Sequence, residues 1–243
     1  MVTGKKFAVF DIDGTLIRWQ LYHALADTLA RQGHIKPETY QAMKDARMDW
    51  KRRSGGGFKS YEAQVIEVYE AVLKTLSLKQ LEEGIDHVFE EYKDQVYTYT
   101  RDLIAKLKKQ GYLLFAISGS QIEIVAKIAD YYGFDDYVGT VYERGGKGFT
   151  GGKTIGSQNK DKTLKNLVKK HSCILNGSYA VGDSHSDIVM LELVDNPIAF
   201  NPEDTLYKAA MDRGWKLVLE RKNMVYELEE KNGQYRLVKA NAG

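Results

Sequence analysis

The strongest constraint on this 243-residue chain is a rhythm of short apolar runs set between helix-forming stretches. Lys5–Phe10, Tyr112–Ile117, Val138–Tyr142, Ser178–Val181, Ile198–Phe200 and Lys216–Leu219 read as strands, brief and bounded by polar residues. Parallel strands need long crossovers, and the helices that make those crossovers cover the faces of the sheet. The alternation therefore predicts an α/β protein with a doubly wound parallel sheet.

One segment breaks the rhythm. From Leu16 to about Tyr99 the chain is rich in helix formers, with apolar residues at helical spacing such as Val65, Val68, Tyr69 and Val72. Ser77 and Gln80 form a capping box that opens a helix running through Tyr92. Ser54-Gly55-Gly56-Gly57 reads as a loop within this region. Some eighty residues are too many for a loop, so they predict an inserted helical domain. The boundaries are a core of residues 1–17 and 100–220, a helical insertion at 18–99, and an extension at 221–243. In the core, Thr100 is expected to cap a helix ending near Gly111. Ser120 with Glu123 is expected to form a second capping box, on a helix facing inward through Ile122, Val125, Ala126 and Ala129. Gly145-Gly146-Lys147-Gly148 suits a hairpin tip, and a further helix ends at Lys170. Met224–Glu230 and Gln234–Val238 flank Asn232-Gly233, a hairpin signal, so the chain is expected to end in a small β-ribbon.

Composition excludes several classes. Lys and Arg number 35 against 33 Asp and Glu, a net charge of +2 that gives no footprint for nucleic acid or a membrane surface. Cys173 is the single cysteine, so no intrachain disulfide forms. No apolar run approaches the roughly 18 residues of a membrane span. Phe7–Phe10 runs into Asp11 rather than into a cleavage site. A cytoplasmic protein, monomeric or homodimeric, is expected.

Four places carry chemistry. In Phe10-Asp11-Ile12-Asp13-Gly14-Thr15-Leu16 two carboxylates follow a buried strand, at the sheet edge where ligands bind in such folds. Asp13-Gly14 alone would be turn chemistry; the strand before it and Thr15 after it favour a site. Paired carboxylates repel unless a cation or proton lies between them. In Ile117-Ser118-Gly119-Ser120 a hydroxyl precedes a helix start, where backbone N–H groups favour anions; Ser120 reads as the cap. Lys160, opening a helix in Asn159-Lys160-Asp161-Lys162, can neutralise carboxylate and phosphate together. In Gly182-Asp183-Ser184-His185-Ser186-Asp187 two more carboxylates follow a strand. Oxygen ligands suit a hard divalent cation such as Mg²⁺, whereas His185 with one distant cysteine gives no zinc spacing.

The order and spacing of Asp11-Ile12-Asp13-Gly14-Thr15, Ser118, Lys160 and Gly182-Asp183 with Asp187 closely resemble the four motifs of the haloacid dehalogenase (HAD) superfamily of phosphohydrolases. The helical insertion resembles the C1 cap of its phosphoserine phosphatase-like branch, and the Gly182–Asp187 stretch with Asn201-Pro202 is most similar to the group called HAD-IB hydrolases. The resemblance implies a Rossmann-like core and a Mg²⁺-dependent phosphatase. It implies that Asp11 is the nucleophile and Asp13 the general acid and base. Asp11, the backbone carbonyl of Asp13, and Asp183 would hold the metal, with Asp187 orienting Lys160 or a metal-bound water. Ser118, the Gly119 amide and Lys160 would take the phosphate.

A closing helical lid implies a small phosphorylated metabolite. The branch places a glutamate just after the first motif to meet the serine ammonium; here Arg18-Trp19-Gln20 has no acid, so phosphoserine is not assigned. Lys51-Arg52-Arg53 beside Gly55–Gly57 are a solvated face or an anion contact. Trp19, Tyr22, Trp50, Phe58 and Tyr61 are expected in core packing or along the cleft. The Val138–Thr150 hairpin is expected as a flap near the mouth. The alternatives are phosphoryl transfer to an acceptor other than water, a dehalogenase, and a non-catalytic phosphate-binding regulator; the complete set of six polar residues speaks against the last.

Overall fold

The computed structural model describes residues 4–53, 58–145 and 148–242, with the side chains of all of these but residues 58 and 59. The loop expected at Ser54–Gly57, the Phe58 side chain and the middle of the Gly145–Gly148 tip lie outside them.

The first strand, β1 (Phe7–Phe10), is buried throughout because both faces of a parallel sheet are covered by helices. Ala8 and Phe10 join one core with Leu114, Ala116 and Ile104; Phe7 and Val9 join another with Phe115, Ile117 and Leu164. The chain then enters α1 (Leu21–Arg31), α2 (Pro37–Arg52), α3 (Phe58–Leu73) and α4 (Leu78–Tyr92) before α5 (Thr98–Lys109). There follow β2 (Leu113–Gln121), α6 (Ile122–Tyr132), β3 (Asp136–Gly145), β4 (Gly148–Thr154), α7 (Lys160–Lys170) and β5 (Tyr179–Gly182). The chain ends with α8 (Ile188–Leu191), β6 (Asn196–Phe200), α9 (Asp204–Arg213), β7 (Lys216–Arg221), β8 (Met224–Lys231) and β9 (Gln234–Ala242). The strands form one sheet in the order β4-β3-β2-β1-β5-β6-β7-β8-β9. The central pairs from β3 through β7 are parallel; β4, β8 and β9 pair antiparallel. The expected doubly wound α/β architecture is what the chain adopts.

Register positions the chemistry. Phe10 lies opposite Ala116 on one side and Val181 on the other. The residues that follow, Asp11, Ser118 and Asp183, therefore emerge along one edge of the sheet.

Helices α1 to α4 are reached through a two-stranded neck. Ile17 bridges Val96, Arg18 N–H donates to the Gln95 carbonyl at 2.9 Å, and Tyr97 N–H donates to the Leu16 carbonyl at 2.9 Å. The Ser77–Gln80 capping box forms on α4 as its sequence indicates. No helix among the described residues is long and apolar enough to cross a membrane.

Three local expectations are corrected. Thr100 does not cap α5: the helix begins at Thr98, and the carboxylate of Glu220 accepts from the Thr98 and Tyr99 amides at 3.0 and 2.9 Å. A cap delivered from a distant strand leaves no local trace. Ser120 and Glu123 form no capping box, since α6 starts after Gln121 and the Ser120 hydroxyl is directed elsewhere. The inward face of α6 is Ile124, Val125, Ile128 and Ala129, with Ile122 and Ala126 half-buried. The terminal hairpin forms as expected, and because β8 pairs with β7 it prolongs the main sheet.

Candidate active site

Asp11 is the first residue beyond β1, and its N–H donates to the Val181 carbonyl at 3.0 Å. The chain then turns tightly: the Leu16 and Ile17 amides both reach the Ile12 carbonyl at 2.9 Å. Gly14 makes this turn at φ +83°, and a Cβ there would lie 2.3 Å from Asp183 Oδ2. Both backbone shape and contact thus demand glycine. Thr15 Oγ1 donates to Asp183 Oδ1 at 3.3 Å, fastening the first loop to the fourth.

Lys160, the first residue of α7, is 1% exposed. Its Nζ donates to Asp11 Oδ1 and to Asp187 Oδ1, each at 2.6 Å. The other oxygen of Asp187 accepts from the Asp183 and Ser184 amides at 3.1 and 2.9 Å and from the Ser184 hydroxyl at 3.0 Å. Asp187 is therefore occupied by protein donors on both sides, and it fixes Lys160 and the Asp183 loop together.

Asp13 turns away from this cluster. Its Oδ2 accepts from Ser118 Oγ at 2.6 Å, and its Oδ1 from Ser120 Oγ at 2.9 Å and the Leu21 amide at 2.6 Å. Ser118 Oγ in turn accepts from the Ser120 amide at 2.9 Å. Between these buried serines Gly119 is exposed, its carbonyl held by Thr140 Oγ1 at 2.6 Å.

The electrostatics suit a bound cation. Burial, followed by the charges of Asp187 and Asp13, pushes the Asp11 carboxyl up to about 7 against the pull of Lys160. Burial, then Asp11 and Asp187, holds Asp183 well above the carboxylate range. Burial also raises Asp13, against the hydrogen bonds from Ser118, Leu21 and Ser120. Burial disfavours the Lys160 ammonium, yet Asp11 and Asp187 outweigh it and keep that group above the usual lysine range. Asp11, Asp183 and Asp187 each offer an oxygen within 4.8 Å of the others. Were all three carboxylates ionised, one ammonium would leave two negative charges uncompensated, and hard oxygen donors at this spacing suit a divalent cation.

All the residues singled out from sequence, Asp11, Asp13, Ser118, Gly119, Lys160, Asp183 and Asp187, lie at this sheet edge. Two further contributors join them. Ser120 acts here rather than as the expected cap, and its i, i+2 spacing from Ser118 at a strand end is the signal available in the sequence. The Leu21 amide carries no side-chain signature. His185 stands outside the cluster, half-exposed, its Nδ1 3.1 Å from Glu203 Oε1.

The Trp19, Tyr22, Trp50 and Tyr61 side chains pack among the inserted helices. Tyr22 and Tyr61 flank the buried His23 with ring centroids 4.2 and 4.7 Å away, and Trp50 stacks on Tyr61. Arg47 pairs with Asp27 at 2.8 Å and lies over the Trp19 and Tyr61 rings. Lys51 also lies over Trp19, whereas Arg52 and Arg53 face solvent. Arg18 sits over Tyr97, and Tyr22 donates to Glu62 at 2.7 Å. The β3–β4 hairpin is fastened to α3: Tyr142 donates to Glu70, Lys153 pairs with Glu70, and Phe149 packs in the core shared with Leu73 and Leu76.

The sequence matches the haloacid dehalogenase-like hydrolase family over residues 8–192. It is 26% identical over 222 residues to a histidinol-phosphatase of Neisseria meningitidis, covering 88% of this chain and 98% of that protein. It is 30% identical over 127 residues to a phosphoserine phosphatase of Mycobacterium tuberculosis, 51% of this chain and 41% of that longer protein. A solved structure described as a phospho-aspartyl intermediate analogue of phosphoserine phosphatase superposes with a TM-score of 0.62 at 20% identity, covering 90% of this chain and 95% of that one, and so shares the fold.

Proposed function

Because the chain belongs to the haloacid dehalogenase-like hydrolases, as a phosphatase of the phosphoserine phosphatase-like kind, we propose that it hydrolyses a small phosphomonoester in two steps through Asp11. In the first, an Asp11 carboxylate oxygen attacks phosphorus, the bond to the leaving oxygen breaks, and Asp13 gives that oxygen a proton. In the second, water attacks phosphorus, the bond to Asp11 breaks, and Asp13 takes the proton from water. The buried contact of Lys160 with Asp11 offsets the negative charge gathered there, while Asp187 keeps the ammonium aimed. Ser118 and the Gly119 amide orient the phosphate oxygens. Asp11, Asp183 and the backbone carbonyl of Asp13 would hold Mg²⁺. When bound, that ion supplies the positive charge that lowers repulsion between phosphate and nucleophile.

The observation that carries this reading is the convergence of Asp11, Lys160, Asp183 and Asp187, brought from three segments, on one buried cluster of three carboxylates and one ammonium. The helices between residues 18 and 99 act as a cap that excludes water and selects the alcohol portion. The likeness to histidinol-phosphatase along nearly all of that protein supports a small alcohol phosphate as the substrate class. The test is hydrolysis of p-nitrophenyl phosphate with Mg²⁺, together with acid-quench mass spectrometry for phosphate on Asp11. An Asp11→Asn variant that keeps wild-type turnover would sink the proposal.

A further inference from the structure

We propose that Ser120 is a positioning residue whose hydroxyl, with the Leu21 amide, pins Oδ1 of Asp13 so that Oδ2 alone carries the proton to and from the reacting oxygens. This rests on the function proposed above. The geometry is asymmetric: two donors, Ser120 Oγ at 2.9 Å and Leu21 N at 2.6 Å, reach Oδ1, and one, Ser118 Oγ at 2.6 Å, reaches Oδ2.

A serine hydroxyl has a single hydrogen to donate. When Ser118 turns that hydrogen to a phosphate oxygen, Asp13 Oδ2 gives up the donor it has in this structure, while Oδ1 keeps both of its own. The Ser118 oxygen stays in place during the exchange because it accepts from the Ser120 amide at 2.9 Å. Ser120 thus serves twice: its backbone anchors the hydroxyl that moves, and its side chain holds the carboxyl group that must not. An oxygen already accepting two hydrogen bonds is the poorer site for a proton, so the proton resides on the oxygen that phosphate binding has opened.

The two donors on Oδ1 differ in origin. Leu21 opens α1, beyond the neck formed by Ile17 and Val96, whereas Ser120 stands at the end of β2 within the central sheet, alongside the strand that leads to Asp13. Ser120 is 1% exposed, so bulk water is a poor replacement for the bond it makes. Without it, Oδ1 of Asp13 is held by the Leu21 amide alone, and misorientation of a proton donor is costly.

The test compares two leaving groups. p-Nitrophenolate departs without a proton, whereas phenolate needs one, and kcat/KM reads the step in which that bond breaks. In Ser120→Ala, kcat/KM for phenyl phosphate is expected to fall about tenfold more than for p-nitrophenyl phosphate. Ser120→Thr, which keeps the hydroxyl, is expected to restore the wild-type ratio. Equal losses on both substrates, or no loss on either, would overturn the role assigned to Ser120, since a merely structural defect does not depend on the leaving group. Asp11→Asn assayed alongside reads the underlying function separately. Turnover that survives there overturns that function and this role together. Turnover lost there, with equal losses in Ser120→Ala, overturns only the role of Ser120.

Discussion

Lys160 Nζ lies 2.6 Å from Asp11 Oδ1, although 149 positions separate the two residues in sequence. The contact is buried and shared with Asp187, so water is a poor substitute for the ammonium. Lys160→Met is therefore expected to lower kcat/KM by a factor on the order of a hundred or more. Lys160→Arg is not expected to rescue it, because the planar guanidinium cannot occupy the same point between two carboxylates. Steady-state kinetics on p-nitrophenyl phosphate decide this: near-normal turnover in Lys160→Met would remove Lys160 from the machinery, and near-normal turnover in Lys160→Arg would refute the need for a compact ammonium at that point.

The carboxylate cluster around Asp11 and Asp183 makes a prediction about metal. Mg²⁺ at about a hundred times its dissociation constant adds roughly 2.7 kcal/mol to the folded state, a rise in Tm of about 5–10 °C. Chelation with EDTA should reverse the rise and stop hydrolysis. Asp183→Asn should lose most of the thermal shift; calorimetry showing the full shift in that variant would place the ion elsewhere.

Gly14 has two reasons to be glycine, its φ of +83° and the approach of Asp183 Oδ2. Gly14→Ala should cost about 1–3 kcal/mol from the backbone alone. It should also displace Asp183, so activity falls further than stability predicts. Urea denaturation paired with kinetics separates the two effects, and a variant of unchanged midpoint and turnover would refute the contact.

His23 predicts a pH dependence of stability. Burial, reinforced by the charge of Arg47, lowers its pKa from 6.5 to about 3. The unfolded chain therefore binds a proton between those values that the folded protein does not. This contribution to stability is present above pH 6.5 and is lost as pH falls toward 3. At pH 5 the loss is about 2 kcal/mol. The raised carboxylates of Asp11, Asp13 and Asp183 titrate with the opposite sign, so the difference between wild type and His23→Phe isolates the histidine. Its Tm difference from wild type should shift in favour of the variant between pH 7 and pH 5, and parallel curves would contradict the assignment.

Much of the architecture was legible in the linear chain. Strand alternation, the Ser77–Gln80 cap and the paired acids after Phe10 and Val181 are local patterns, written in consecutive backbone and side-chain choices. A strand that ends in aspartate announces a sheet edge wherever it is met. Ser118 and Lys160 carry only weak local signals, and they became legible through the resemblance of the whole order Asp11, Ser118, Lys160 and Asp183 to the family's motifs.

Partner choice was not. The Ser120 hydroxyl had a plausible use nearby, as a helix cap, and a better one across the sheet edge on Asp13. Glu220 caps α5 from β7, which displaced Thr100 from the expected role. The end of the chain formed its hairpin as its Asn-Gly turn dictates, yet whether that hairpin stood alone or extended the sheet depended on the free edge of β7. The sequence by itself determined which elements form and which chemical groups reach the sheet edge, because backbone preference and hydrophobic period act over a few residues. The tertiary structure alone decided which donor meets which acceptor, because each hydrogen and lone pair is spent once and the competitors for it come from distant segments.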